Sequence, residues 1–415
     1  MGPSNMRIAH VTPRYLPAQL RGGEQYVQTL VENHSAKDSA AVLTSNAIDL
    51  RGNLGVLGNF YLPERSTTVD DTTVLRFPVV PLVSTALKKI EKRATRLGLS
   101  NEFSPFDHCH VFGWGPLTPS MYWHILLSDY DVVHAAIWPT TTLYLSYLAC
   151  KRCAKPFLVT PFYHFRLREF NTSSLLRKVV RSASAVIAVT EIEQKELMRL
   201  GARADRTFVV PLSINLSRLP STNAEAFRNE YGLEGKFIVL AHPWRGKGFD
   251  LVLAAMKELS KSHSDMALVT LGQPDEGCLR ELSEIEPSTL SVVNLGWVYG
   301  QRKYDAFAAC DVFAMPSTSD AFGMAYLEAW ALRKPVIGAR NTAAEAIITD
   351  TKDGLLVDVE NVQDIEAKLA AAMADREMLL EMGRLGRLHL EKCYIPSITI
   401  ARFEDAVKRA SELNA

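Results

Sequence analysis

The chain has 415 residues, 47% of them hydrophobic, with 46 Lys+Arg against 46 Asp+Glu. That length can bury two cores of roughly 150 to 200 residues each, and the charge balance leaves no global basic field, so no nucleic-acid partner is expected. No apolar run approaches the ~18 to 20 residues of a membrane span, the start of the chain carries no secretory or myristoylation pattern, and six cysteines do not make a disulfide framework, so a cytoplasmic enzyme is expected.

In chain order, residues 7–11 predict a first strand, Gly22-Gly23 a loop and residues 24–32 an amphipathic helix. Over residues 83–97, Val83, Leu87, Ile90, Ala94 and Leu97 share one helical face, with Lys88, Lys89, Lys92, Arg93 and Arg96 around the others. Such a helix fits an anionic membrane surface, each cation contributing roughly 1 kcal/mol, and fits equally a surface helix packed on a sheet. Apolar runs at 41–43, 132–133, 157–160, 185–189 and 208–210 alternate with helical stretches such as 191–200, which predicts a parallel sheet. Cys150 and Cys153 form a lone C-x-x-C on an Ala/Leu-rich helix, and no metal site is assigned to it.

Residues 211–235 are polar and irregular and are expected to form the hinge. A second strand–helix cycle follows at 236–241, 267–271, 291–294, 312–315, 335–338 and 355–357, then a helical run over 362–391, a break at Pro396 and a last helix over 398–413. The expected fold class is α/β: two Rossmann-like doubly wound parallel-sheet domains, 1–215 and 216–395, facing a central cleft beyond their strand ends.

The chemistry concentrates in the second half. Asp320 and Glu328 flank Phe322-Gly323-Met324, and a helix starting near Gly323 places Glu328 about a turn and a half in. Carboxylates accept hydrogen bonds from adjacent hydroxyls, so Glu328 can hold a ribose diol and Asp320 a hexose, with the first-turn N–H groups toward a diphosphate. Arg245 and Lys247 stand at a helix entrance, where cations stabilise an expelled diphosphate. Gly22 and Gly23 let backbone approach phosphate or acceptor closely. His134 and His164 follow strand residues and are expected to reach the cleft, where one can orient the donor sugar; a satisfied structural histidine is the alternative for each. Glu345 either joins the site or caps the next helix.

These segments resemble those of retaining GT-B glycosyltransferases, the family-4-like group also described as glycosyl transferases group 1. Asp320 to Glu328 is similar to its E-x7-E motif with Asp for the first Glu, and Lys247-Gly248 matches its G-R-x-x-x-x-K-G segment with His242 at the arginine position. The resemblance implies a UDP- or GDP-hexose donor, retention of anomeric configuration, no metal or other cofactor, and a final helix, 396–415, returning to the first domain. It also implies a saccharide, lipid-linked or small-molecule acceptor. Two other readings stay open: an epimerase or hydrolase of the same architecture, and a non-catalytic nucleotide-sugar sensor.

Overall fold

The computed structural model describes residues 6–18, 20–34, 40–96, 106–165, 173–286 and 288–412. Leu97 and Leu413, the expected ends of two helices, lie outside the described residues. The chain divides into two compact units, one running to Leu212 and resuming at Pro396, the other Ser213–Ile395.

The first unit contains β1 (Ile8–Thr12), α1 (Gly22–Glu32), β2 (Ala40–Ser45), α2 (Leu50–Asn53), β3 (Ser66–Val69), β4 (Thr72–Phe77), α3 (Val83–Arg96), α4 (Phe106–Trp114), α5 (Pro119–Leu127), β5 (Val132–Ala136), α6 (Thr141–Cys153), β6 (Phe157–Thr160), α7 (Ser174–Ser182), β7 (Ala185–Ala188), α8 (Glu191–Arg199) and β8 (Thr207–Val209). Its eight strands lie in the order β3-β4-β2-β1-β5-β6-β7-β8. The sheet is parallel except at one edge, where β3 runs antiparallel to β4. That hairpin departs from the all-parallel expectation. Its turn residues Asp70 and Asp71 both have positive φ, +44° and +65°, the twist that joins antiparallel neighbours tightly. Its Thr-rich first strand alternates exposed and half-buried residues, so it shows no apolar run. The central strands β1, β2, β5, β6 and β7 are buried along their whole length, as a parallel sheet covered on both faces requires.

The second unit contains α9 (Ala224–Glu230), β9 (Phe237–Ala241), α10 (Phe249–Leu259), β10 (Met266–Thr270), α11 (Glu276–Ser283), β11 (Ser291–Asn294), α12 (Gln301–Ala309), β12 (Val312–Ala314), α13 (Met324–Ala331), β13 (Val336–Ala339), β14 (Gly354–Val357), α14 (Val362–Ala374) and α15 (Arg376–Cys393). All six strands are parallel, in the order β11-β10-β9-β12-β13-β14. The last helix, α16 (Pro396–Glu412), packs on α1 and β7 of the first unit.

Three expectations need correction. The stretch 211–235 is not irregular throughout, because the Asn223 side chain accepts from Ala226 N at 2.9 Å and starts α9. The helical run 362–391 is two helices, since Asp375 ends α14 and its carboxylate accepts from Met378 N at 2.9 Å to cap α15. Pro396 opens α16 instead of preceding it, a position where its missing N–H costs nothing. Among the described residues no helix is long and apolar enough to cross a membrane.

α15 holds α13 in place through two glycines. A Cβ at Gly383 would stand 1.9 Å from Arg333 O, and one at Gly386 would stand 2.2 Å from the Trp330 ring. Trp330 is fully buried and donates to Asp353 O at 2.9 Å. Gly383→Ala meets backbone that cannot rotate aside, so its clash should outweigh the ~1 kcal/mol that alanine gains in a helix and destabilise the fold by about 1 to 3 kcal/mol. Urea unfolding of the variant and parent measures this difference.

Candidate functional site

Parallel strands end at one edge, and in the second sheet the strand order reverses at β9. The chain winds outward through β10 and β11, then returns to the other side of β9 for β12, β13 and β14. Loops after β9 and β12 therefore diverge and leave a crevice at the carboxyl edge. The loop after β9 carries His242 to Gly248, and the loop after β12 carries Ser317 to Phe322.

Glycine lets these two loops touch. Gly248 has φ +74°, and a Cβ there would stand 2.3 Å from Pro316 O. The Ser317 and Ser319 hydroxyls both donate to Gly246 O, at 3.0 and 3.2 Å. The result is an ion pair between Lys247 and Asp320, each largely shielded from solvent, with side-chain exposures of 24% and 14%.

Gly323, at φ +104°, is the N-cap of α13, and a Cβ on it would stand 2.6 Å from the Tyr326 ring. Phe322 is buried against Tyr394, with ring centroids 5.7 Å apart, and Met324 is the first helical residue. Glu328 follows on the same helix, buried, in an ion pair with Lys303 of α12. Sequence reading missed Lys303, because α12 lies in none of the recognised segments and only folding brings it to Glu328. The neighbouring Tyr304 phenol is pushed up, first by burial and then by the Glu328 charge.

His242 lies within the electrostatic reach of Lys247, Glu328 and Lys303. Its Nδ1 lies 2.7 Å from Leu271 O; a carbonyl only accepts, so Nδ1 carries the proton and Nε2 is left as an acceptor. Burial lowers its pKa more than the Leu271 bond raises it, and Lys247, Glu328 and Lys303 all act on the ring. The residue at the expected arginine position is thus a neutral hydrogen-bonding group in the field of two lysines and Glu328.

Two expected members are placed differently. The Arg245 guanidinium pairs with Glu281 on α11, and its backbone N donates to Asp275 at 3.0 Å, so α11 and its cap hold it. Glu345 caps no long helix: it lies in a 3₁₀ turn, Ala343–Ala346, and its carboxylate accepts from Asn341 N at 2.7 Å, closing the loop after β13.

In the first unit the strand order reverses at β1. Gly22 and Gly23 form the first turn of α1 and not the expected loop. A Cβ at Gly23 would stand 2.8 Å from Ile137 Cγ1 and 3.4 Å from the Phe162 ring, so the glycine lets the chain segments after β1, β5 and β6 converge. Behind it, Arg14 and Glu24 form a buried ion pair at 2.6 Å that the sequence did not announce.

His134 does not reach the sheet edge. It sits inside β5 with no exposed surface, its Nδ1 3.1 Å from His10 Nδ1 and its Nε2 2.8 Å from Thr160 Oγ1, and its ring lies 5.0 Å from Phe403 of α16. Burial lowers its pKa to about 3, which keeps it a neutral core residue. His164 is half-buried in the loop after β6. Its neighbour Tyr163 donates its backbone N–H to Glu193 of α8 at 2.7 Å, and the other Glu193 oxygen accepts from Val189 N at 2.5 Å. Glu193, also missed, thereby ties the loops after β6 and β7 together.

Two doubly wound units of this kind define the GT-B class of nucleotide-sugar folds. Two family models match, glycosyltransferase family 4 over residues 75–218 and glycosyl transferases group 1 over residues 223–389, together most of the chain. A D-inositol 3-phosphate glycosyltransferase of Segniliparus rotundus is 28% identical over 225 residues, 51% of this chain and 49% of that protein. One from Geodermatophilus obscurus is 27% identical over 277 residues, 60% and 61% of the two chains. The chain thus spans about half the length of the first of these relatives. Among solved structures, the Anabaena protein HepE in complex with UDP and glucose superposes with a TM-score of 0.70 at 17% identity, covering 97% of this chain and 100% of that one. Sucrose-phosphate synthase from Thermosynechococcus elongatus gives 0.73 at 17%, covering 98% and 99%; at these identities both speak for the fold. The chain belongs to the GT-B, family-4-like glycosyltransferases.

Burial raises the Glu193 pKa from 4.5 to about 7, against the two backbone N–H bonds that lower it. The folded chain therefore holds this proton more tightly than the unfolded chain. Stability from this group is greatest below pH 4.5, falls by up to about 3 kcal/mol as pH rises to about 7, and is level above. Unfolding free energies from pH 4 to 8 should show this slope in the parent and lack it in Glu193→Gln.

Proposed function

We propose that the chain is a retaining glycosyltransferase that moves a hexose from a nucleoside-diphosphate sugar to an acceptor hydroxyl without a metal or other cofactor. The observation that carries the proposal is the pair of acid–lysine contacts, Lys247 with Asp320 and Lys303 with Glu328, set around His242 at the switch point of the second sheet. A donor offers two complementary chemistries: an anionic diphosphate and sugar hydroxyls. Lysines bind the first and carboxylates the second.

In this mechanism Glu328 accepts from the ribose diol and Asp320 from the hexose. The first-turn N–H groups of α13, from Phe322-Gly323-Met324 onward, face the diphosphate. The acceptor oxygen attacks the anomeric carbon from the face the diphosphate leaves, the carbon–oxygen bond to phosphate breaks, and the acceptor proton passes to the departing phosphate oxygen. Lys247 stabilises the charge that grows on that oxygen. Arg245 joins it by leaving Glu281, an exposed and solvent-screened pair that is weak. Gly22, Gly23 and His164 serve the acceptor or the donor hexose from the first unit, and Glu345 supports the donor side; His134 takes no part.

UDP is the favoured base carrier, because HepE was solved with UDP and with UDP-glucose, and an E. coli trehalose-6-phosphate structure of the same fold, at TM-score 0.72 and 12% identity, with UDP-2-fluoro glucose; a GDP-hexose is the other candidate. The inositol-phosphate relatives favour a small phosphorylated polyol or saccharide as acceptor, with a lipid-linked saccharide as the alternative.

Release of UDP or GDP from its sugar, followed with and without acceptor, tests the proposal. Acceptor-dependent release supports transfer, acceptor-independent release supports a hydrolase or epimerase, and tight binding without release supports a sensor.

The resting site also makes a prediction of opposite signs. Each lysine is neutralised by a carboxylate before donor arrives, so Asp320→Asn should bind UDP or pyrophosphate several-fold more tightly while transferring sugar at least tenfold more slowly; calorimetry and turnover read the two effects. Glu328→Gln loses a charged acceptor toward two hydroxyls and should weaken the UDP-sugar by about 2 kcal/mol, roughly 30-fold. Parental turnover in Glu328→Gln would refute its assignment.

A further inference from the structure

Helix α3 does not bury the face its apolar spacing predicts. Ser84 is fully buried, Lys88 lies 4.4 Å over the Trp114 ring of α4, and Glu91 pairs with His110 of α4. A Cβ at Gly113 would stand 3.2 Å from Lys88 N, so the two helices meet closely on that side. Val83 and Leu87 are half-buried at its margin.

The opposite arc combines apolar residues with cations. Leu82, Ala86 and Ile90 recur at four-residue steps and are exposed, and so are Lys89, Lys92, Arg93 and Arg96. The single acid of the helix, Glu91, is turned inward to His110. Leu82 is 55% exposed although its φ is +64°, a region that disfavours a branched side chain, and its N–H is held by Gly55 O at 2.8 Å. Two residues beyond Gly55, Leu57 is 63% exposed. Backbone strain here presents a leucine to solvent, next to another, beside four cations.

We propose that this face docks on an anionic lipid surface. The cations pair with headgroup phosphates while Leu57, Leu82 and Ile90 enter the interface between headgroups and acyl chains. A bilayer satisfies both chemistries along a single straight arc, whereas a nucleic acid would take the cations and leave the leucines in water. In a chain with no net charge, this attraction depends on the local cluster. The proposal stands apart from sugar transfer, because lipid binding is read with no donor or acceptor present.

The test is co-sedimentation of the full chain with vesicles of phosphatidylcholine alone and of equimolar phosphatidylcholine and phosphatidylglycerol. Binding to the anionic vesicles only, released by salt, is expected. A Lys89→Glu/Lys92→Glu/Arg93→Glu variant should lose at least tenfold in affinity. A Leu82→Asp/Ile90→Asp variant should lose a similar amount although its cations remain, and circular dichroism melts identical to the parent's would show that both fold. Absence of binding to either vesicle, or parental binding by both variants, overturns the proposal. So does dimerisation of the parent that the charge variant abolishes while vesicles bind neither protein, which assigns the face to a second copy of the chain.

Discussion

Everything placed at the second sheet's edge depends on one close approach, the Gly248 backbone against Pro316 O. A side chain at position 248 would stand 2.3 Å from that carbonyl, and without the contact the turn after β9 would part from the loop after β12. The strand order opens the crevice, and the glycine lets its two walls lean together. Lys247 and Asp320 meet as a consequence. Their pair is partly shielded, so it is stronger than a surface pair and holds both side chains in fixed directions.

The same economy of backbone contact recurs in the first unit. Gly23 sits where Ile137 and Phe162 leave no room for a Cβ, and Glu193 spans two strand-end loops with one carboxylate. Burying that carboxylate is unfavourable, and its raised pKa reports the cost. The benefit is a defined position for the loop that carries His164. His134 shows the opposite outcome. α16 lays Phe403 across it and His10, and the three rings form part of the interior.

Family membership explains the architecture, and the particular residues determine what the site can do with it. A neutral histidine replaces a guanidinium at position 242, and a lysine from α12 stands beside Glu328. The cationic charge near the carboxylates is therefore redistributed, with Lys303 arriving from a helix outside the recognised motifs. Arg245, the nearest guanidinium in sequence, is turned to α11 by Asp275 and Glu281.

The sequence alone determined the α/β class, the positions of most parallel strands, the two-part organisation and the segment around Asp320 and Glu328. Apolar runs and turn residues act over a few neighbours, and such information is local. It missed the β3–β4 hairpin, whose edge strand is half exposed and rich in threonine, and it joined α14 to α15 because a single Asp375 breaks the pattern without a glycine or proline. Tertiary structure alone decided that Lys303 meets Glu328, that Glu193 ties two loops, that His134 is core, and that α3 turns most of its cations and Ile90 outward. Each of these depends on which distant segment packs against the residue, and no spacing within one helix or strand encodes that choice.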